Sequence, residues 1–152
     1  MNFMDALNTE ASAVEKPPVL PRGTYTWKVT KAHSESKAAG GKWDVVTIPV
    51  VPVAADEDVD PDMLAQFGDL KQGTNSIRFM FPTDPAERAN FDRTLFNLKN
   101  FLLSTLQVDG NESMTLKQLL GKIPGCEFKG QADHRVDGEN IFVDIKSLHA
   151  VA

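Results

Sequence analysis

The amino-acid sequence predicts a mainly β domain: a five-stranded antiparallel sheet with one long helix between its third and fourth strands. Between residues 84 and 106, apolar side chains recur at the helical period. In five other stretches they alternate with polar residues or form short β-branched runs, which is typical of strands. Turn-forming residues separate these stretches.

The predicted long helix begins at Asp84, whose side chain can accept a hydrogen bond from the first turn. Pro85 follows at a position where no N–H is needed. One face is apolar and carries Phe91, Leu95, Leu98, Phe101, Leu102 and Leu106. Phe96 and Leu103 form a second apolar strip, and Gly110 ends the helix. The polar side carries Asn90, Arg93, Asn97, Asn100 and Ser104. A helix this apolar must be largely covered, so we expect strands to flank it.

Three strands are predicted before this helix. The first covers residues 24–30, and its alternation turns Tyr25, Trp27 and Val29 towards the core. A polar, Gly-rich loop at 34–41 leads to the second strand, residues 42–53. Since Pro49 and Pro52 cannot donate to a ladder, we expect that strand to lie at an edge or to contain a bulge. The third strand covers residues 75–81, with the apolar side chains Ile77, Phe79 and Phe81 facing inwards.

Two strands are predicted after it. Thr115 and Gln118 have the spacing of a capping box, which indicates a short helix closed by Gly121. Strands at 126–132 and 139–147 follow, joined by a turn at Asp137-Gly138. In the last strand the inward residues are Ile141, Val143 and Ile145, and the outward residues are Phe142, Asp144 and Lys146.

The predicted organisation is one domain with two short ends. Residues 1–22 form an N-terminal arm, 23–147 the domain, 54–73 an acidic insertion within it, and 148–152 a C-terminal tail. Phe3, Met4 and Leu7 could form a short apolar helix face in the arm. The arm either frays or docks on the Phe96/Leu103 strip of its own or a neighbouring chain.

Composition restricts the class of protein. The single cysteine, Cys126, excludes an internal disulfide and fits a reducing cytoplasm. No apolar run approaches the length of a membrane span, and the first residues do not resemble a signal peptide, so we expect no membrane partner. The net charge of −5 is concentrated in Asp56, Glu57, Asp58, Asp60, Asp62 and Asp69. That segment lacks the central Gly and final Glu of an EF-hand loop, and we interpret it as a solvated loop.

The predicted element order, three strands, a helix and two strands, is that of an OB-fold barrel. The chain also resembles small phage-encoded single-stranded-DNA-binding-like proteins. The matching motifs are Leu20-Pro21-Arg22-Gly23-Thr24-Tyr25, the loop from Lys37 to Lys42, Asn100-Phe101-Leu102-Leu103, Leu119-Leu120-Gly121-Lys122 and Asn140-Ile141-Phe142-Val143. The resemblance implies an OB-like barrel that coats single-stranded DNA in the cytoplasm of a bacterial host, with replication or recombination proteins as further partners. The acidic insertion and the absence of an acidic C-terminal tail depart from that family.

The sequence contains no phosphate-binding loop, nucleophile elbow or paired-cysteine zinc site, so we expect neither an enzyme nor a cofactor or metal. Single-strand binding requires aromatic faces for bases and cations for phosphates. The candidate nucleic-acid-binding residues are Lys28, Lys31, Lys37, Lys42, Trp43, Arg78, Lys129, Arg135, Phe142 and Lys146. Among these, Lys28, Arg78 and Lys146 point outwards from three predicted strands. Trp43 fits either a stacking or a core position, whereas Trp27 and Phe79 could stack but are assigned to the core.

Two other functions fit the same sequence. One is a structural or interaction module, in which the arm and the Phe96/Leu103 strip build a homo-oligomer without nucleic acid. The other is an inhibitor of host DNA enzymes, in which the carboxylates between Asp56 and Asp62 imitate phosphates. Self-association is expected for the DNA-binding protein as well.

Overall fold

A computed structural model describes residues 2–14, 16–37 and 41–151 of the chain. Its strands are β1 (Gly23–Val29), β2 (Ser34–Ser36), β3 (Trp43–Ala55), β4 (Asn75–Pro82), β5 (Glu127–Asp137) and β6 (Asn140–His149). Its α-helices are α1 (Phe3–Leu7), α2 (Pro61–Phe67), α3 (Arg88–Asn100) and α4 (Leu116–Leu120). Short 3-10 turns cover Ala11–Ala13, Leu70–Gln72 and Pro85–Glu87. The protein is therefore a mixed α/β fold around a six-stranded antiparallel sheet.

The sheet has the order β2-β3-β1-β5-β6, with β4 on the other side of β3. The long strand β3 lies inside the sheet, because β4 pairs with one of its edges and β1 and β2 share the other. An edge position was one of the two expectations for this strand, and it is wrong. The alternative, a bulge, is confirmed: the β1–β3 register shifts between Thr26 and Trp27, where Trp27 faces Pro52.

Alternation along β1 fills the core as predicted. Tyr25, Trp27 and Val29 have no exposed surface. Trp27 donates its indole N–H to the carbonyl of Gly130 at 3.0 Å, and the Tyr25 hydroxyl donates to the carbonyl of Pro21 at 2.7 Å. Both polar groups are thereby satisfied inside the core, as buried donors must be.

The predicted long helix is confirmed as a 21-residue helical rod between β4 and β5. The Asp84 side chain accepts from the Ala86 N–H at 2.9 Å, as expected of a cap. The last turn, Phe101–Thr105, is a π-helix, in which the Leu106 N–H reaches the Phe101 carbonyl at 2.8 Å. Phe101 packs in the core against two other rings, stacking on Phe79 and meeting Phe128 edge-on.

The expected closed barrel is wrong, because no backbone ladder joins β4 to β6 in the part of the chain that the structure describes. The antiparallel pairings make these two strands parallel to each other. At one end of the resulting seam, the Asn75 side-chain amide donates to the Val143 carbonyl at 2.8 Å. The seam therefore ends in a side-chain hydrogen bond and opens along its remaining length.

The acidic insertion is ordered rather than a loose loop. Asp60 caps α2 through the N–H groups of Asp62 and Met63. Val59 and Phe67 are buried, and an added Cβ at Gly23 would lie 2.5 Å from a Val59 methyl group. The insertion therefore packs on the first residue of β1, which explains why glycine occupies that position.

Two strand boundaries and the burial of one residue also differ from the sequence prediction. Ser34–Ser36, expected as part of a loop, forms β2 on β3, because β1 pairs only with residues 50–55 of that edge and leaves residues 45–47 open. β6 continues to His149, two residues beyond the expected domain end, and Ile141 in it is exposed rather than inward. Residues 38–40 of the predicted loop, Met1 and Glu15 of the arm, and Ala152 of the tail lie outside the described residues.

Candidate nucleic-acid interface

The outer face of the β3–β4 ribbon carries an exposed indole and a cation. Trp43, Val45 and Thr47 alternate on β3 and lie opposite Pro82, Met80 and Arg78 of β4. Because alternate residues share a face, Trp43, Met80 and Arg78 point to the same side of the ribbon. Trp43 is 40% exposed and Met80 is 43% exposed. This surface, the ribbon face, therefore carries an accessible ring and a positive charge that are four residues apart along the ribbon.

Arg78 is the cation of the ribbon face. Within the described residues, no carboxylate forms an ion pair with it, although seven ion pairs occur elsewhere. An arginine that no carboxylate neutralises retains its full charge and its five N–H donors for a phosphate. Lys42, next to Trp43, is also exposed.

A cleft of about 1120 Å³ adjoins the ribbon face along the open seam between β4 and β6. Its floor is the helical rod, from which Thr94, Asn97 and Asn100 line the space. Arg78 lines one wall, and Phe142 and Arg135 line the other. Three of the ten candidate residues therefore meet at this seam cleft, and one of them is shared with the ribbon face.

The far wall of the cleft combines an aromatic ring with a partly neutralised cation. Phe142 is 42% exposed, and the Arg135 guanidinium lies over its ring at 4.7 Å from the centroid. The same guanidinium pairs with Asp144 at 3.1 Å. A ring and a guanidinium plane are both surfaces on which bases stack.

Lys146 and Lys129, the other candidates on β5 and β6, are held by carboxylates. Lys146 pairs with Asp133 at 3.1 Å, and its hydrogen bond is the main cause that lowers the pKa of Asp133. Lys129 pairs with Asp56 at 2.8 Å and is only a quarter exposed. Both are thus partly neutralised, which the sequence did not indicate, because their partners are distant in the chain or on the next strand.

Asp58 of the acidic insertion also bonds within the chain. Its carboxylate accepts from the Thr24 N–H at 2.9 Å and from the Thr24 hydroxyl at 2.8 Å. The backbone hydrogen bond, followed by the hydroxyl bond, lowers the pKa of Asp58. The carboxylates of Asp56 and Asp58 therefore attach the insertion to the sheet rather than forming an unattached row of charges.

The other candidate cations lie outside the seam cleft. Lys28 pairs with Val51 of β3, and Arg78 pairs with Thr47, four residues earlier on the same strand. Both side chains therefore lie on the outer side of the sheet, about 13 Å apart along β3. Lys31 and Lys37 are exposed on the segments between β1 and β3. Of the aromatic residues assigned to the core, Trp27 and Phe79 are indeed buried.

The sequence interpretation did not include Thr94, Asn97, Asn100 or Met80 in the site. The polar side of the predicted helix already contained the two asparagines, which could have indicated that this side of the helix lines a cleft. Histidines do not form a metal centre: within the described ranges no group of three His, Cys, Asp or Glu side chains could hold an ion. His134 instead contacts the carbonyl of Leu20 at 2.7 Å.

No protein-family model matches the chain, and a search of curated proteins finds no relative. Any proposal about function therefore rests on the geometry of the ribbon face and the seam cleft. Among the described helices, none has the length and apolar character needed to cross a membrane.

Proposed function

We propose that the protein binds single-stranded DNA and acts in phage replication or recombination. The observation that carries the proposal is the position of Arg78. This cation, unpaired within the described residues, lies between the exposed Trp43 of the ribbon face and the Phe142 wall of the seam cleft. Along this path, Arg78 would contact backbone phosphates, and the rings of Trp43 and Phe142 would stack on neighbouring bases.

The strand arrangement supports an open OB-like fold. If β1 and β2 are counted as one interrupted strand, the order becomes that of five strands with the helix between the third and the fourth. OB-folds are partly open barrels that bind oligonucleotides on the face of strands 2 and 3, and at the loops between strands 1 and 2 and between strands 4 and 5. Here those parts correspond to the ribbon face, the segment with Lys37 and Lys42, and the β5–β6 hairpin with Arg135 and Phe142. Lys31 lies where the first strand is interrupted.

The proposed mechanism uses no covalent chemistry. Arg78 and the lysines of the 31–42 segment hold phosphates, while Trp43 and the Phe142–Arg135 pair stack bases. Amides of Asn97 and Asn100 in the floor of the cleft can donate to and accept from base edges. The acidic insertion bonds to β1 and β5, away from this path, which is compatible with a net negative chain.

A fluorescence titration with labelled oligo-dT at several salt concentrations tests the proposal. Binding at low salt should weaken as salt rises, with a log–log slope of about −0.7 for each phosphate contacted. A duplex of equal length should bind more weakly, because paired bases cannot stack on protein rings. Absence of binding to the single strand at low salt would refute the proposal.

The inhibitor alternative has its own test. Glu57 and Asp62 are exposed acids of the insertion whose side chains form no hydrogen bond or ion pair within the described residues. Neutralising both, as Glu57→Gln with Asp62→Asn, should leave oligo-dT affinity unchanged or slightly raised if the chain binds DNA directly. If it instead imitates DNA, these changes should abolish its inhibition of DNA enzymes.

A further inference from the structure

A second surface, unrelated to the seam cleft, is an apolar groove on the helical rod. It has a volume of about 460 Å³ and is lined mainly by Leu95, Phe96, Leu103, Met114, Leu116 and Leu119. Phe96 is 63% exposed. An open apolar groove of this kind is a recognition surface for an amphipathic helix.

The same chain contains a short amphipathic helix, α1, whose apolar side chains are exposed. In α1, Phe3 and Leu7 are one helical turn apart, Met4 flanks them, and Asp5 points to the opposite side. Phe3 is 73% exposed and Leu7 is 64% exposed, and no residue of α1 is buried. The helix is nevertheless capped, since the Asn2 side chain accepts from the Asp5 N–H at 2.8 Å.

We propose that two copies of the chain exchange their arms, so that α1 of each copy occupies the apolar groove of the other. Exchange of an identical element between two copies gives a closed, symmetric dimer with two equal contacts. The inference does not depend on DNA binding.

The position of the arm favours a second copy over the chain's own groove. The arm joins the body at the β5–β6 hairpin, where the Lys16 ammonium donates to the Glu139 carbonyl and His134 contacts the Leu20 carbonyl. That hairpin supplies the far wall of the seam cleft. On the helical rod, the groove residues and the cleft residues lie on opposite flanks of the buried face. The arm's own groove therefore lies beyond the cleft, on the far flank of the rod from the hairpin.

Charge is consistent with this occupant. Residues 2–14 of the arm hold Asp5 and Glu10 and no Lys or Arg. At the groove rim, Glu112 is already paired with Lys99 at 3.1 Å. Lys117, next to the groove residue Leu116, has no ion-pair partner among the residues that the structure describes and remains available to an acidic arm.

Light scattering after size-exclusion chromatography of the full chain, without nucleic acid, tests the exchange. The wild type should be a dimer. An arm variant, Phe3→Asp with Leu7→Asp, and a groove variant, Phe96→Asp, should each raise the dimer dissociation constant by more than about thirtyfold. Met63→Asp, at an apolar residue of α2 that is 49% exposed, is the matched control and should remain a dimer.

Mixing the two variants provides a positive result that misfolding cannot imitate. The intact arm of the groove variant can occupy the intact groove of the arm variant, so the mixture regains one of the two contacts. A heterodimer weaker than the wild-type dimer should therefore form at concentrations where each variant alone is monomeric. A monomeric wild type, a dimer that survives Phe96→Asp, or a mixture that stays monomeric would overturn the proposal.

Discussion

Replacing Trp43 by alanine should weaken binding to oligo-dT by about fivefold to thirtyfold. Stacking contributes about 1–3 kcal/mol per base, and the ring is 40% exposed, so protein covers part of its surface. We therefore expect one stacked base and a loss of about 1–2 kcal/mol, which corresponds to that range of affinity. Trp43→Phe should retain most of the affinity, because a smaller ring still stacks.

Arg78→Ala should give a different signature. Loss of one phosphate contact lowers the magnitude of the salt slope by about 0.7, whereas loss of a stacked ring leaves the slope unchanged. Affinities measured at several salt concentrations thus separate the two roles. Lys71→Ala serves as the charge control and Met63→Ala as the apolar control, since both residues are exposed on the acidic insertion, away from the ribbon face and the seam cleft.

The intrinsic fluorescence of the protein supplies an independent readout. Trp27 is buried, so quenching on addition of oligo-dT should come from Trp43 and disappear in Trp43→Phe. If Trp43→Ala and Arg78→Ala both bind oligo-dT within twofold of the wild type, while the wild type binds well, the ribbon face is not the DNA-binding surface.

Three predictions concern stability. Gly23→Ala should lower the free energy of unfolding in urea by about 2–4 kcal/mol, because φ is +138° and the new Cβ meets Val59. Gly125→Ala should lower it by about 1 kcal/mol, because φ is +87° but the new Cβ meets open space. Burial, aided by the charge of Asp58, raises the pKa of Tyr25 to about 12. Because the unfolded chain releases this proton near pH 10, the free energy of unfolding should fall as pH rises from about 10 to 12. Phenolate absorbance follows the titration of the only tyrosine in the sequence. The lowered pKa of Asp58 contributes stability above about pH 4 that is lost on further acidification, so acid unfolding curves of Asp58→Asn should be flatter.

The helical rod and the core strands follow from local patterns. Asp84 caps the helix because its side chain reaches the N–H of a residue two positions away, and Thr115 with Gln118 forms the predicted capping box. Alternation in β1 determines which side chains are buried, since successive residues of a strand point to opposite sides. These interactions join near neighbours in the chain, so the sequence contains the information needed to predict them.

Part of the candidate site was predictable by the same reasoning. The outward parity of Arg78 and Phe142 agrees with the structure. The sequence left Trp43 open between a core and a stacking position, and the structure exposes it. The neutralisation of Lys129 by Asp56 does not follow from any pattern, because 73 positions separate the two residues. The contribution of the Asn97 and Asn100 amides to the cleft depends on how the rod lies across the seam.

The sequence by itself determined the long helix and its cap, the capping box of α4, the order of the main strands and the buried sides of β1 and β4. Only the tertiary structure decided that β4 and β6 remain apart, that the acidic insertion attaches to β1, and that α1 and the apolar groove are both exposed. The physical reason is the range of the interactions. Periodicity and capping act within a few residues, whereas seams, clefts and ion pairs depend on how distant segments meet in space.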